Sequence, residues 1–208
     1  MGPALCGVLG ECGAEVFADQ RASYDRESIL AMAAEAGTID ALVINLGIPA
    51  PTTRAVEVSE DEWRSSFARM VDPLPRLCAA FLPEMTERGS GKIVLMGSAS
   101  ALRGMRRTTT YSAARGAQLA YVQALGVEMA PHNVQVNAIA QNFVDNPTYF
   151  PSAVQANPAF QARLSREVPL GRLVSAREDA LFAAYLCSAA ANCFVGQVFP
   201  LCGGWVLR

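Results

Sequence analysis

The sequence holds a single histidine, His132, among its 208 residues. That scarcity excludes a histidine-rich metal site and leaves any Ser-His-Asp triad dependent on one residue. Its setting, Pro131-His132-Asn133 just ahead of an apolar run, is that of a solvated loop. Charge is sparse as well: 17% of residues are charged, the 17 basic and 19 acidic side chains are scattered, and the formal net charge is −2. No basic stripe is offered to a phosphate backbone or an anionic bilayer, so nucleic acid and membrane are not expected partners. No apolar run approaches the ~18 residues of a membrane span, and no basic flank precedes an apolar stretch near the start, as a secretory leader would require. The cysteines Cys6, Cys12, Cys78, Cys187, Cys193 and Cys202 form no Cys-x-x-Cys pair and have no ligand-like spacing. They read as small buried hydrophobes in a reducing compartment, which makes a cytoplasmic location the expectation.

What is present is apolar bulk, 51% of the residues, enough for one domain with a well-filled core. Short β-branched runs alternate with longer helical patterns, the rhythm of parallel strands joined by crossover helices. The expected fold class is therefore α/β, a Rossmann-like doubly wound parallel sheet with helices on both faces. Strands are predicted over residues 15–18, 41–46, 92–97, 134–139 and 195–201. Ser59-Glu60-Asp61-Glu62 has the capping-box pattern and opens a long helix, kinked around Pro73 and Pro75, that runs to Arg88-Gly89. Ser175-Ala176-Arg177-Glu178 repeats the device ahead of a helix over 179–190, and a further helix covers 109–130. Residues 2–13 already look helical and lead into the strand at 15–18, so the first strand of such a sheet is missing. The chain is truncated, its start is misassigned, or another segment fills that slot.

The run at 92–97 delivers Ser98 to the C-terminal edge of the sheet, where open α/β sheets place their ligands. Tyr111 opens the next helix, and Arg115 follows one turn later, so phenol and guanidinium can enter one crevice. A permanent cation beside a phenol favours the phenolate. Asp19, at the end of the predicted strand 15–18, could bind an adenosine ribose or sit in a solvated turn, and the second reading is preferred because no glycine loop holds a pyrophosphate. Arg103, Arg106 and Arg107 read as a mobile solvated loop in preference to an anion funnel.

Gly97-Ser98-Ala99-Ser100, Tyr111-Ser112-Ala113-Ala114-Arg115-Gly116-Ala117 and Asn133-Val134-Gln135-Val136-Asn137-Ala138-Ile139 together resemble the short-chain dehydrogenase/reductase pattern over three consecutive elements. Val43-Ile44-Asn45-Leu46-Gly47 is similar to that family's Asn-Ala-Gly strand end, and Val168-Pro169-Leu170-Gly171-Arg172-Leu173 with Gly203-Gly204-Trp205 to its C-terminal segment. Two positions depart from ordinary members. The lysine that binds the nicotinamide ribose is Arg115, and the Pro-Gly turn leading to a nicotinamide-touching Thr reads Ala140-Gln141-Asn142-Phe143-Val144. Both departures, with the continuation Asp145-Asn146-Pro147-Thr148-Tyr149-Phe150-Pro151, resemble the halohydrin dehalogenases, most closely their B-type members.

That resemblance implies a catalytic triad of Ser98, Tyr111 and Arg115 acting without cofactor or metal on a small haloalcohol, which it converts reversibly to an epoxide and halide. It implies a halide pocket at Gln141, Asn142, Phe143 and Val144 in place of the nicotinamide, with consecutive backbone N–H groups facing the anion. Ile48, Pro49, Tyr149 and Phe150 would form the apolar substrate wall, and a homotetramer is expected by analogy. Two alternatives stand beside it: an NAD(P)-dependent short-chain oxidoreductase with an unusual arginine, and a non-catalytic oligomerising subunit.

Overall fold

The computed structural model describes residues 1–21 and 23–207. Its centre is a parallel sheet of four strands, β1 (Ala41–Ile44), β2 (Gly91–Ser98), β3 (Val134–Gln141) and β4 (Val198–Leu201), paired in that order. The middle strands are buried on both faces, and their alternation decides which core each residue joins. Ile93 and Leu95 of β2 point to one side, where they meet α4 (Pro73–Arg88) and α5 (Thr109–Met129). Val94 and Met96 point to the other, where Leu5 and Val8 of α1 (Gly2–Glu11) and Ala180, Ala183 and Leu186 of α8 (Ala176–Cys187) complete a second cluster. Helices thus cover both faces. Around these elements lie α2 (Arg26–Ala36), α3 (Glu60–Met70), α6 (Ser152–Gln155) and α7 (Pro158–Glu167).

Residues 15–18 are not a strand. They lie outside every ladder, and Phe17 is 49% exposed, because β1 is the sheet's edge and no described strand stands beside it to pair with them. The reversal of strand order that makes a sheet doubly wound is accordingly not present among the described strands. The expected kinked helix over 59–88 is two helices: α3 stops at Met70, and Pro73 stands at the start of α4, where its missing N–H costs nothing. Ser59 caps α3 by accepting from the Glu62 N–H, but the Glu62 carboxylate turns to Thr53 instead of closing the box. At Ser175 the box is complete, and Glu178 also takes a forked pair of bonds from Arg172. Of the six cysteines only Cys78 and Cys202 are fully buried; Cys12 and Cys193 sit in exposed turns, which corrects the uniform core reading. His132 is exposed in a short 3-10 turn after α5. No helix of the described chain is long and apolar enough to cross a membrane, and no group of three or more potential metal-ligating side chains occurs among the described residues.

Candidate active site

The sheet register fixes the first two pieces of the site. Ser98 ends β2 directly beside Gln141, the end of β3, so both side chains leave the same C-terminal edge. Gly97 lets α5 lie close to that edge: a Cβ there would stand 2.8 Å from Leu119 Cδ2, too near for any real contact. Ser98 caps the 3-10 turn Ala99–Ala101, its Oγ accepting from the Ser100 N–H and lying 2.9 Å from Ser100 Oγ. When Ser100 Oγ is the donor of that pair, the Ser98 hydroxyl proton is available to a ligand.

Arg115 is buried, and its charge is paired with no carboxylate among the described residues. Its Nε donates to the Tyr111 phenol oxygen at 3.0 Å. Its Nη1 donates to the carbonyls of Leu46 at 2.9 Å and Met96 at 3.1 Å, and to Gln118 Oε1 at 2.9 Å. Gln118, fully buried, is itself held by donating to the carbonyls of Leu46 and Met70. Gly47 makes the arrangement possible, since a Cβ at that position would stand 2.6 Å from Arg115 Nη2. The charge is therefore dissolved in carbonyl dipoles and aimed, through one bond, at one phenol.

Ser98, Tyr111 and Arg115 line a cavity of about 210 Å³ together with Gln141, Asn142, Phe143, Val144, Tyr149 and Phe150. The structure thus gathers the expected triad, the 141–144 turn and both aromatic residues into one place. Ile48 and Pro49 are not on that wall, and their neighbour Ala50 is. Ile48 packs behind Tyr111 against Met70 and Ala114, and reaches the site only through its carbonyl, which accepts from Tyr149 Oη at 2.7 Å. Burial, with the Tyr111 oxygen close by, holds the Tyr149 phenol well above the ordinary range, so Tyr149 stays a neutral donor.

The turn after β3 differs from the expected row of free N–H groups. Asn142 N–H bonds to the Leu201 carbonyl, and Phe143 N–H bonds to Asn142 Oδ1, because a turn that places Phe143 at φ 51° needs internal support. The donors left over are the Val144 N–H, which has no protein acceptor among the described residues, and Asn142 Nδ2, which is buried without a partner. The Phe143 ring is wedged between Phe150 and Trp205, with the Arg163 guanidinium 5.5 Å from its centre.

Four participants escaped sequence reasoning. Ser100, Met105 and Thr108 line the cavity from the segment after β2. Arg103 pins that segment by donating to the Trp205 carbonyl at 2.8 Å and lying over its ring, so it is anchored, while Arg106 and Arg107 remain exposed. Asp19 is paired with Arg21 and takes no part. The fourth is Asp179 in the first turn of α8. It is 0% exposed, accepts from Gln141 Nε2 through Oδ2 and leaves Oδ1 unpartnered. Burial pushes its carboxyl up to about 6, against the opposing bond from Gln141. Only the capping pattern at 175–178 marked its neighbourhood.

A family model described as enoyl-(acyl carrier protein) reductase matches residues 16–206. A 3-oxoacyl-[acyl-carrier-protein] reductase of Chlamydia muridarum is 33% identical over 82% of this chain and 67% of its own length. The cis-4-hydroxycyclohexanecarboxylate dehydrogenase of Sinomonas cyclohexanicum is 31% identical over 87% of this chain and 73% of its own. Among solved structures, a dehalogenation enzyme is 35% identical over 87% of this chain and 74% of its own, with a TM-score of 0.82. A halohydrin dehalogenase bound to ethyl (2S)-oxiran-2-ylacetate is 27% identical over 99% of this chain and 83% of its own, with a TM-score of 0.83.

Proposed function

This chain belongs to the short-chain dehydrogenase/reductase family, and within it we propose a halohydrin dehalogenase that works without a cofactor. The observation that carries the reading is the state of Arg115. Ordinary members of the family grip a nicotinamide ribose from this position. Here Nε and Nη1 are spent on Tyr111, two backbone carbonyls and Gln118, and Nη2 faces the bare Cα of Gly47 with the Tyr149 hydroxyl beside it. The residues present do not fit a ribose diol. They suit a fixed cation for a tyrosine base facing a small cavity lined by Phe143, Tyr149 and Phe150. The likeness to two dehalogenating structures supports the same reading.

In this reaction the Ser98 hydroxyl donates to the substrate oxygen and holds it beside Tyr111. The Tyr111 oxygen takes the hydroxyl proton. The freed oxygen pair attacks the neighbouring carbon, the carbon–halogen bond breaks, and the halide leaves with its bonding electrons. The Val144 N–H, which has no protein acceptor among the described residues, is the donor that receives it, without a formal positive charge that would retain the product. Run in reverse, an anion opens an epoxide and Tyr111 returns the proton. The experiment is halide release from a small chloro- or bromopropanol by dialysed protein, alongside Tyr111→Phe. No release, or release unaffected by the substitution, overturns the proposal. A nicotinamide-dependent reductase is the second reading, favoured by the names of the Chlamydia and Sinomonas relatives. Saturable binding of NAD or NADP in a calorimetric titration would promote it.

A further inference from the structure

The reaction just described makes no use of Asp179, a buried carboxylate whose one partner is a side chain of the cavity wall. Its position is dictated locally: Ser175 caps α8, Asp179 falls one turn in, and the close packing of α8 on β2 seals it from water. Gln141, its partner, ends β3 beside Ser98 and lines the cavity. A glutamine amide offers two donors on nitrogen and an acceptor on oxygen, whereas an ionised carboxylate only accepts. The pairing therefore has one sense: Nε2 turns to Asp179, and Oε1, which accepts from no protein donor among the described residues, is the atom left to the cavity.

We infer that Asp179 is a positioning residue that sets the hydrogen-bonding sign of the cavity wall, keeping the carbonyl of Gln141 rather than its amide N–H turned toward the ligand. A carbonyl oxygen there repels an anion. Once Asp179 takes up a proton it can donate as well, the amide can turn over, and its N–H groups become available to an anion. In the dehalogenase reading, on which this last consequence rests, the ionised wall favours departure of halide, and the protonated wall favours capture of an anionic nucleophile.

The titration is well isolated. The elements packed on α8 are α1, β2 and the 3-10 turn Ala189–Ala191. Their charged groups are the Met1 amine and Glu11 of α1, with Lys92 at the far end of β2; β3 and β4 bring none. Glu11 is occupied by exposed Arg177, and Lys92 is tied to Gln135 and Asn192. Glu178, on α8 itself, is bound to Arg172. Among these only the Met1 amine bears on Asp179, weakly opposing the effect of burial.

The test follows the Gln141 side-chain amide by 1H–15N NMR, its resonances identified by their loss in Gln141→Met. They should move with pH in the wild type with a midpoint near 6 and stay still in Asp179→Asn, whose amide carries no titratable proton. In parallel, azide and bromide affinity is measured by calorimetry across about pH 5 to 8, where the wild type should weaken roughly tenfold toward the alkaline end and Asp179→Asn should stay flat. Gln141→Met, which leaves α8 untouched, should also bind these anions with no such trend, and it serves if Asp179→Asn does not fold. A Gln141 amide indifferent to pH in the wild type, or one that titrates equally in Asp179→Asn, overturns the inference. A titrating amide with no anion binding at any pH supports the positioning role and sinks the dehalogenase reading instead.

Discussion

The floor and the side wall of the cavity each contain one buried charge, and they treat it in opposite ways. Under the floor, Arg115 donates through Nε and Nη1 to a phenol, two backbone carbonyls and a buried glutamine, so its charge is met by four neutral acceptors. Behind the wall, Asp179 has a single partner and one oxygen with none. A buried charge with several polar partners is a fixed tool, while one with a single partner is poised to change state near neutral pH. The difference separates what must be constant in this site, the cation beside the base, from what can vary, the polarity of the wall.

The sharpest way to test the floor is to remove the group it serves. Tyr111→Phe keeps the ring packed against Ile48 and Met70 and deletes the proton acceptor. Halide release should fall ~10²–10⁴-fold with the circular dichroism unchanged, in the range of positioned general bases. Arg115→Lys is the next largest. One ammonium on a flexible stem cannot serve Tyr111 and the Leu46 and Met96 carbonyls together, so both activity and stability should drop, the latter by about 2 kcal/mol or more in urea unfolding. Gly47→Ala breaks the floor from outside: its Cβ would collide with Arg115 Nη2. Displacing the guanidinium while leaving its charge should cost about tenfold in kcat with a smaller loss of stability, and an unchanged kcat would show that the position of Nη2 is immaterial.

The effect expected at the wall falls on stability, and its sign is opposite. The Asp179 carboxyl is raised from its ordinary 3.8 to about 6, so the folded state holds a proton that the unfolded state has lost in that interval. Stability therefore declines as pH rises through this window, and above it the fold carries the full penalty. Asp179→Asn removes the charge and keeps the shape. Near neutral pH it should stabilise the protein by about 1–3 kcal/mol in urea unfolding, and the gain should vanish below the ordinary value of 3.8. An equal gain at all pH values would mean that packing, not ionisation, is responsible.

Much of this was legible in the chain because it depends on local pattern. The β-branched runs marked β1 to β4 within a few residues, since a strand buried on both faces must be apolar throughout. Ser98 at a strand end and Tyr111 four residues before Arg115 were readable as neighbours in one crevice, because strand termini and helical turns have known geometry. The capping residues of α3 and α8 were readable for the same reason. What failed or stayed hidden depends on neighbours that the sequence does not name. Residues 15–18 have strand composition, but a strand exists only through its ladder, and no described strand stands beside them. Ile48 and Pro49 have the right chemistry for a pocket wall, yet the direction of the chain after β1 puts Ala50 there instead. The donors of the 142–144 turn could not be counted until the Leu201 carbonyl and Asn142 Oδ1 were seen to take two of them. The sequence by itself determined the α/β class, through periodicities internal to single elements, and brought Ser98, Tyr111 and Arg115 to one sheet edge as the triad that the family resemblance implies. Only the tertiary structure decided that Gly47 and Gln118 seat the arginine and that Asp179 stands behind Gln141, because burial and hydrogen-bond satisfaction belong to segments brought together across the fold.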